Sequence, residues 1–395
     1  MTSDQWLAGR MPESSAISAF PVRSDCCRLS VVTDSVGVSS LFGGVGTSLI
    51  LGALLAERMQ ATLRLVTRLE YPDAGAVRSV LKANGLAVRI PIETALLKPN
   101  GGRGLAIGGR DYFMSTSWWS TRALLPSVQK NKMFYLLQED ERMFYPHGDT
   151  RLACGLTLAE PGIFTVINTE LLFQHLIAGP DPVTSLDQRS AWFEPAFPGS
   201  NSTTAMKEGR RRRLFFYARP SNPRNLFDTG LAALANAISA GLFPASEWEL
   251  HFVGKDIPDI TMPRGIRPII HQGLSWDRYQ SLIATMDAGF VLMDTPHPSY
   301  PPLDLASFGA AVLTTRHGMK TDLSRYSENI LMAAPEPAAM AAGLQRLVQL
   351  AEDDDARSAR RVADRICRDW RETLNPVLDR LKTLFSDEQT MRSVA

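Results

Sequence analysis

Three short segments carry side chains that could act together on one ligand. In "YARPSNPRN", Arg219 and Arg224 stand five positions apart, with Asn225 beside the start of a helical pattern. Two guanidiniums and a helix N-terminus converging on one point suit a diphosphate, which offers several anionic oxygens to bidentate donors and leaves more readily when its charge is stabilised. A surface ion pair for one arginine and a packed stem for the other is the structural alternative. "DTPHPSYPPLDLASFG" presents His297, Ser299 and Tyr300 on a proline-stiffened loop, and Pro302 is expected to open a helix with Asp304 in its first turn. There a helix dipole would stabilise a carboxylate able to accept sugar or ribose hydroxyls; an ordinary N-terminal helix acid has the same pattern. "SLFGGVGTS" sets Gly43, Gly44 and Gly46 ahead of a helix, where backbone N–H groups can approach a phosphate without a Cβ in the way. A flexible turn is the alternative, and Leu49 stands where a dinucleotide fingerprint starting at Gly44 needs glycine.

Two further segments are less specific. Gln138, Glu139, Asp140 and Glu141 crowd the end of an apolar run in "YLLQEDERMFYP" and could orient sugar hydroxyls or serve an acceptor, unless they form a solvated acidic turn. Trp118 and Trp119 in "STSWWST" could stack on a sugar, or belong to the core. The run Arg210 to Arg213 reads as a solvated hinge, with an anionic-lipid contact as the alternative.

The elements that must position these loops alternate between short apolar runs and helical spacing, as in a parallel α/β layer. "RLSVVTD", "ATLRLVTR", "LAVRIPI", "DYFMST", "KMFYLLQ" and "GIFTVIN" read as strands of a first sheet. Between about Asp181 and Arg213 the periodicity fails in Pro, Gly, Ser and charge. It restarts with "LFFYA", "WELHFVG", "IRPII", "AGFVLM" and "AAVLTT" as a second sheet, and from about Pro335 the pattern is helical, with Pro376 expected to divide two amphipathic pieces. The resulting division is an irregular extension over 1–27, a first domain over 28–195, a linker over 196–212, a second domain over 213–370 and a terminal helix over 371–395. In doubly wound domains ligands collect at the carboxyl ends of strands, so the informative loops are those that follow strands.

Composition bounds the function. The 395 residues carry 42 Lys+Arg against 41 Asp+Glu, so no overall field draws the chain to nucleic acid. Cys26, Cys27, Cys154 and Cys367 match neither a disulfide framework nor a zinc spacing, which fits a reducing cytosol. The opening residues do not read as a signal peptide. The uncharged stretch Ser35 to Ala56 is rich in Gly, Ser and Thr and reads as strand end, loop and helix, not as a membrane span.

The segments "YLLQEDERMFYP", "YARPSNPRNLFDTGL" and "PHPSYPPLDLASFG" resemble a glycosyltransferase of the GT-B architecture in the retaining family-four class, and more narrowly the rhamnosyltransferases of bacterial rhamnan, O-antigen and S-layer glycan assembly. The resemblance covers roughly Leu29 to Phe385. It implies two Rossmann-like domains facing across a cleft, with a C-terminal helix crossing back to the first. It implies that Arg219 and Arg224 hold the donor diphosphate, that Gly43 and Gly44 close over it, and that Gln138 takes the place of a histidine beside the donor sugar. Asn225, Gly273, His297, Ser299, Tyr300 and Asp304 would complete the donor site, with Glu139, Asp140 and Trp118 toward the acceptor. Two departures stand out: Pro296 occupies the first of two family glutamate positions, and Asp304 the second.

The resulting expectation is metal-independent transfer of a 6-deoxyhexose, L-rhamnose from a dTDP donor, to a free or lipid-linked surface glycan, without cofactor or nucleic acid. It places the protein in the cytoplasm, with contact to the inner membrane face or a glycan-assembly complex left open. A non-catalytic glycan-binding subunit, a nucleotide-sugar epimerase and an NAD-dependent enzyme are the alternatives.

Overall fold

The computed structural model describes residues 6, 9–37, 43–99, 101–201 and 210–393. The chain divides into two compact units, Met1–Pro195 together with Asp369–Ala395, and Ala196–Arg368.

The first unit holds strands β1 (Ala19–Pro21), β2 (Arg28–Thr33), β3 (Thr62–Thr67), β4 (Ile92–Leu96), β5 (Leu105–Ile107), β6 (Asp111–Ser115), β7 (Met133–Leu137), β8 (Phe164–Asn168) and β9 (Ser190–Phe193). Seven of them form a sheet in the order β4-β3-β2-β6-β7-β8-β9, and every pairing is parallel. Successive residues such as Val31 and Val32, or Phe113 and Met114, are all buried. Because side chains alternate between faces, both faces of this sheet must be covered, which is why the strands read as unbroken apolar runs.

The second unit holds β10 (Arg212–Ala218), β11 (Trp248–Gly254), β12 (Ile269–Gln272), β13 (Ala288–Val291), β14 (Ala311–Thr315) and β15 (Ile330–Ala333). Their order is β12-β11-β10-β13-β14-β15, again parallel throughout, the doubly wound arrangement. Phe216 centres its core, with ring centroids 4.9 Å from Phe252, 5.6 Å from Phe290 and 5.9 Å from Phe227.

Several expectations are corrected. β4 starts at Ile92 and β12 at Ile269, each later than the apolar run suggests, because Pro91 and Pro268 cannot donate to a ladder. The stretch taken for an irregular extension contains β1, which pairs in parallel with β5. Within the segment of failed periodicity, β9 forms the edge of the first sheet. Pro376 does not divide the terminal helix, which runs unbroken over Trp370–Ser393. Trp370, Leu374, Leu378, Leu381 and Phe385 are all buried, and that burial outweighs the roughly 3 kcal/mol an interior proline costs. The helix is fastened within the first unit by Trp370 Nε1 donating to Asn84 Oδ1 at 2.9 Å, by the Arg371–Glu57 pair at 2.7 Å, and by the Tyr112 ring 4.3 Å from that of Phe385.

Candidate functional site

In the second unit the strand order reverses between β10 and β13, and the loops leaving those two strands flank the crevice where such sheets bind ligands. The loop after β10 carries Arg219, the 3-10 turn Pro223–Asn225, and Leu226, a left-handed residue (φ 46°) capping helix Phe227–Ser239. The loop after β13 runs from Leu292 through the proline-rich stretch to Ser299, also left-handed at φ 71°. The two loops are joined where the Asp294 N–H donates to the Arg224 carbonyl at 2.8 Å. Non-glycine residues at such φ store strain and persist where surrounding structure over-determines them.

Three buried polar atoms here find no hydrogen-bond partner within the protein: Arg219 Nε, Asn225 Oδ1 and His297 Nε2. Asn225 is fully buried, its amide nitrogen 3.4 Å from Met293 Sδ. The Ser299 N–H donates to His297 Nδ1 at 2.9 Å, so the neutral ring carries its proton on Nε2. Burial, reinforced by the charges of Lys320 and Arg224, pushes the His297 pKa down to about 3. This imidazole is therefore a fixed neutral donor. Tyr300 packs beside it, ring centroids 5.8 Å apart.

Asp304 departs from expectation. Helix Tyr300–Ser307 begins two residues early, because Pro301 and Pro302 both fit its first turn, so Asp304 falls in the second turn and gains no N-terminal stabilisation. Its carboxyl is buried, and burial lifts its pKa to about 7 against the opposing bonds from Tyr279 and Gln280. The Tyr279 hydroxyl donates to Oδ2 at 3.4 Å. Gly273 follows edge strand β12, exposed and left-handed at φ 62°.

Sequence reasoning missed two contributors. Gly254 ends β11 so close to its neighbour that a Cβ there would lie 1.8 Å from the Ala218 carbonyl oxygen and 3.1 Å from Arg219 Cγ. Lys320, after β14, is fully buried and donates to the Met293 and His297 carbonyls. The glycine following "WELHFV" was a usable signal; nothing local marked the lysine.

In the first unit the order reverses between β2 and β6. Gly43, left-handed at φ 64°, opens helix Gly44–Arg58, while Ser40, Leu41 and Phe42 lie outside the described residues. Gln138, at the end of β7, donates from Nε2 to the Gly44 carbonyl at 2.8 Å, so the structure does bring this glutamine and the glycine turn together. Asn168 in turn donates to Gln138 Oε1 at 3.4 Å. Glu139 is half-buried, and its Oε1 accepts the Asp140 N–H at 3.2 Å.

Two of the expected acceptor residues are instead internal. Trp118 is 0 % exposed, its Nε1 donating to the Tyr145 hydroxyl at 3.0 Å, and a ring so enclosed has no face for a sugar. Asp140 is 3 % exposed and gripped by Arg142 through Nε at 2.8 Å and Nη2 at 2.9 Å, with His175 Nε2 3.2 Å from its second oxygen. Burial would raise its pKa, but the bonds from His175 and Arg142 more than offset that and hold it below the ordinary carboxylate range. Glu141, which accepts the Trp118 N–H at 2.8 Å, is pushed by burial up to about 8. More accessible is Trp119, whose Nε1 donates at 2.9 Å to Asp34 Oδ1 at the end of β2.

The arginine run is neither a free hinge nor an open basic face. Arg210 pairs with buried Asp287 at 2.9 Å, Arg211 and Arg213 with Glu249 at 2.7 and 3.1 Å, and Arg212 with Asp354 at 3.2 Å. Among the described residues no three of His, Cys, Asp or Glu group as metal ligands, and no helix is long and apolar enough to cross a membrane.

Residues 212–345, which contain the whole β10–β14 crevice, match the family described as WsaF, C-terminal domain. The O-antigen biosynthesis protein RfbC of Myxococcus xanthus is 30% identical over 247 residues, which is 60% of this chain but 18% of that protein; the chain thus spans less than a fifth of this relative. Among solved structures, Anabaena HepE in complex with UDP-glucose superposes with a TM-score of 0.56 at 12% identity, covering 93% of this chain and 100% of that one. WaaG, a glycosyltransferase involved in lipopolysaccharide biosynthesis, gives 0.56 at 12% identity over 89% and 99%. At such identity the likeness shows the fold, which is GT-B, with two Rossmann-like α/β units in one chain.

Proposed function

We propose that the protein is a glycosyltransferase of bacterial O-antigen or related surface-glycan assembly, and that its second unit binds the diphosphate of a nucleotide-sugar donor. The observation that carries this is the set of buried, unpartnered groups on Arg219, Asn225 and His297 where the second sheet reverses. Two of the three are fixed donors, from a guanidinium and a neutral imidazole, which suits anionic oxygens and sugar hydroxyls. Leaving such groups buried and unpaired costs about 1 to 3 kcal/mol each, which a bound ligand recovers. The family match over 212–345 and the role named for the RfbC relative support the same assignment.

Within this reading the donor is dTDP-L-rhamnose and the reaction retains configuration. The acceptor hydroxyl oxygen forms the new bond to the anomeric carbon on the face from which the diphosphate departs. The carbon–oxygen bond to the phosphate breaks, and the departing oxygen takes the acceptor's proton. Arg219 and Arg224 stabilise the charge that develops on that diphosphate. The chain would act in the cytoplasm at the inner membrane face, on a free or lipid-linked glycan, without a metal ion.

Thermal shift with dTDP-, UDP- and GDP-sugars tests the site, since a ligand bound to the native state raises its apparent stability. Arg219→Ala and Arg224→Ala should each weaken nucleotide binding by about tenfold or more, at unchanged urea midpoint. Unchanged affinity in both variants overturns the assignment. Donor binding without sugar transfer to any surface-glycan acceptor would point to a binding subunit.

A further inference from the structure

Lys320 lies 23 residues beyond His297 in sequence, yet its Nζ donates to the His297 carbonyl at 3.4 Å and to the Met293 carbonyl at 3.0 Å. Those two carbonyls bracket the segment that carries Asp294, Thr295 and Pro296. Each is also held by a hydroxyl: Thr315 Oγ1 donates to the Met293 carbonyl at 2.8 Å, and Thr295 Oγ1 to that of His297 at 3.3 Å. The turn before Lys320 grips the same segment again, with His317 Nδ1 2.7 Å from Asp294 Oδ1. Asp294 passes the constraint on, its N–H donating to the Arg224 carbonyl. The loop after β14 thus fixes the loop after β13, which fixes the loop after β10.

A fully buried ammonium is costly unless polar groups replace its water, and a neutral residue could fill the same space without that cost. We infer that Lys320 is a positioning residue of the donor site. Its ammonium seats the main chain on both sides of the proline-rich segment, aims His297 Nε2–H and supports the strained turn at Ser299. It also sets a fixed positive charge near His297, as Arg224 does. The inference rests on the donor-site reading above and adds a residue to it. Lys320 and Arg224 are the charged groups that act on His297, and both disfavour its protonation. The lysine therefore helps keep His297 a neutral donor as well as holding it in place.

The test uses the full chain, with UDP, dTDP and inorganic pyrophosphate as probes in calorimetry and the His297 ring followed by NMR. Lys320→Met keeps the aliphatic stem and removes the charge. It should weaken binding of the nucleotides by about tenfold or more, and move the His297 titration upward by about one pH unit. A lysine whose charge does not reach the ring would leave that titration where it is. Identical His297 titration in wild type and Lys320→Met overturns the inference. If Lys320→Met does not fold, Lys320→Arg decides: with charge and donors kept, it should bind within about threefold of wild type, and a tenfold loss overturns the claim. A wild-type protein that binds none of the probes refutes the donor-site reading instead, and the His297 titration still judges Lys320.

Discussion

Asp304 provides a stability measurement that the rest of the chain does not obscure. Its carboxyl titrates near 3.8 when unfolded and at about 7 in the buried helix. The fold therefore favours the protonated acid: the associated stability is complete below the unfolded pKa and is lost as pH rises through the folded one. Between about pH 5 and pH 8 the loss from this single group works out at roughly 2.5 kcal/mol. Asp304→Asn keeps the shape and an oxygen for the Tyr279 hydroxyl but cannot ionise. Urea unfolding of wild type and variant across that range isolates the effect, because the other raised carboxyls, Glu141 and Asp34, are common to both and cancel in the difference. Wild type should lose stability relative to Asp304→Asn on going from pH 5 to pH 8, by the amount given. Parallel curves would refute the assignment of a buried, proton-holding carboxyl and with it the account of why this helix acid differs from an exposed N-terminal one.

Three other outcomes follow from the same packing. Gly254→Ala drives a methyl into the Ala218 carbonyl and the stem of Arg219; it should cost about 3 kcal/mol by urea unfolding and weaken nucleotide binding with it, and a neutral result would mean the β10–β11 approach is looser than described. Trp370→Phe removes the bond to Asn84 and should destabilise the chain by roughly 1 to 3 kcal/mol, read from the urea midpoint, without altering nucleotide affinity. Sugar transfer should persist in excess chelator, and loss of turnover that returns with added divalent cation would contradict transfer driven by the arginines alone.

The order of strands and helices was legible because parallel strands buried on both faces leave unbroken apolar runs, as in Met133 to Leu137 and Leu214 to Phe216. Strand starts were less so: Pro91 and Pro268 interrupt apolar runs that continue across them, and the prolines mark the true boundaries. β9 escaped because its edge strand exposes Trp192 and sits among loop residues. At the candidate site, Arg219, Arg224, Asn225 and His297 stand out in the sequence because each follows a strand. The same rule misplaced Trp118 and Asp140, since position after a strand does not say whether a side chain turns toward solvent or back into the layer. The Asp140–Arg142 spacing held a clue, a carboxylate and guanidinium two residues apart that close on each other. Lys320 could not be found at all, because its partners are main-chain carbonyls, which no residue type announces.

Strain and unsatisfied burial coincide where the second sheet reverses. Of the six described non-glycine residues with positive φ, four follow the carboxyl end of a strand: Thr169 after β8, Leu226 after β10, Asp256 after β11 and Ser299 after β13. Each such conformation costs on the order of 1 to 3 kcal/mol and is held only by what surrounds it, as the Phe193 carbonyl holds the Thr169 N–H at 3.1 Å. Other ionic groups of the second unit are satisfied within it, as where Asp287 takes Arg210 and the Arg213 N–H. At the β10–β13 reversal, strain at Leu226 and Ser299 coincides with unpaired atoms on Arg219, Asn225 and His297. Folding alone rewards neither feature, and their coincidence within a few residues is what the proposed donor site would require. A ligand doing so should stabilise the second unit in particular. Hydrogen exchange at the amides of Leu226 and Ser299 is the place to look, because slowing there on adding nucleotide, with the first unit's strands unchanged, is what a ligand seated at this reversal requires.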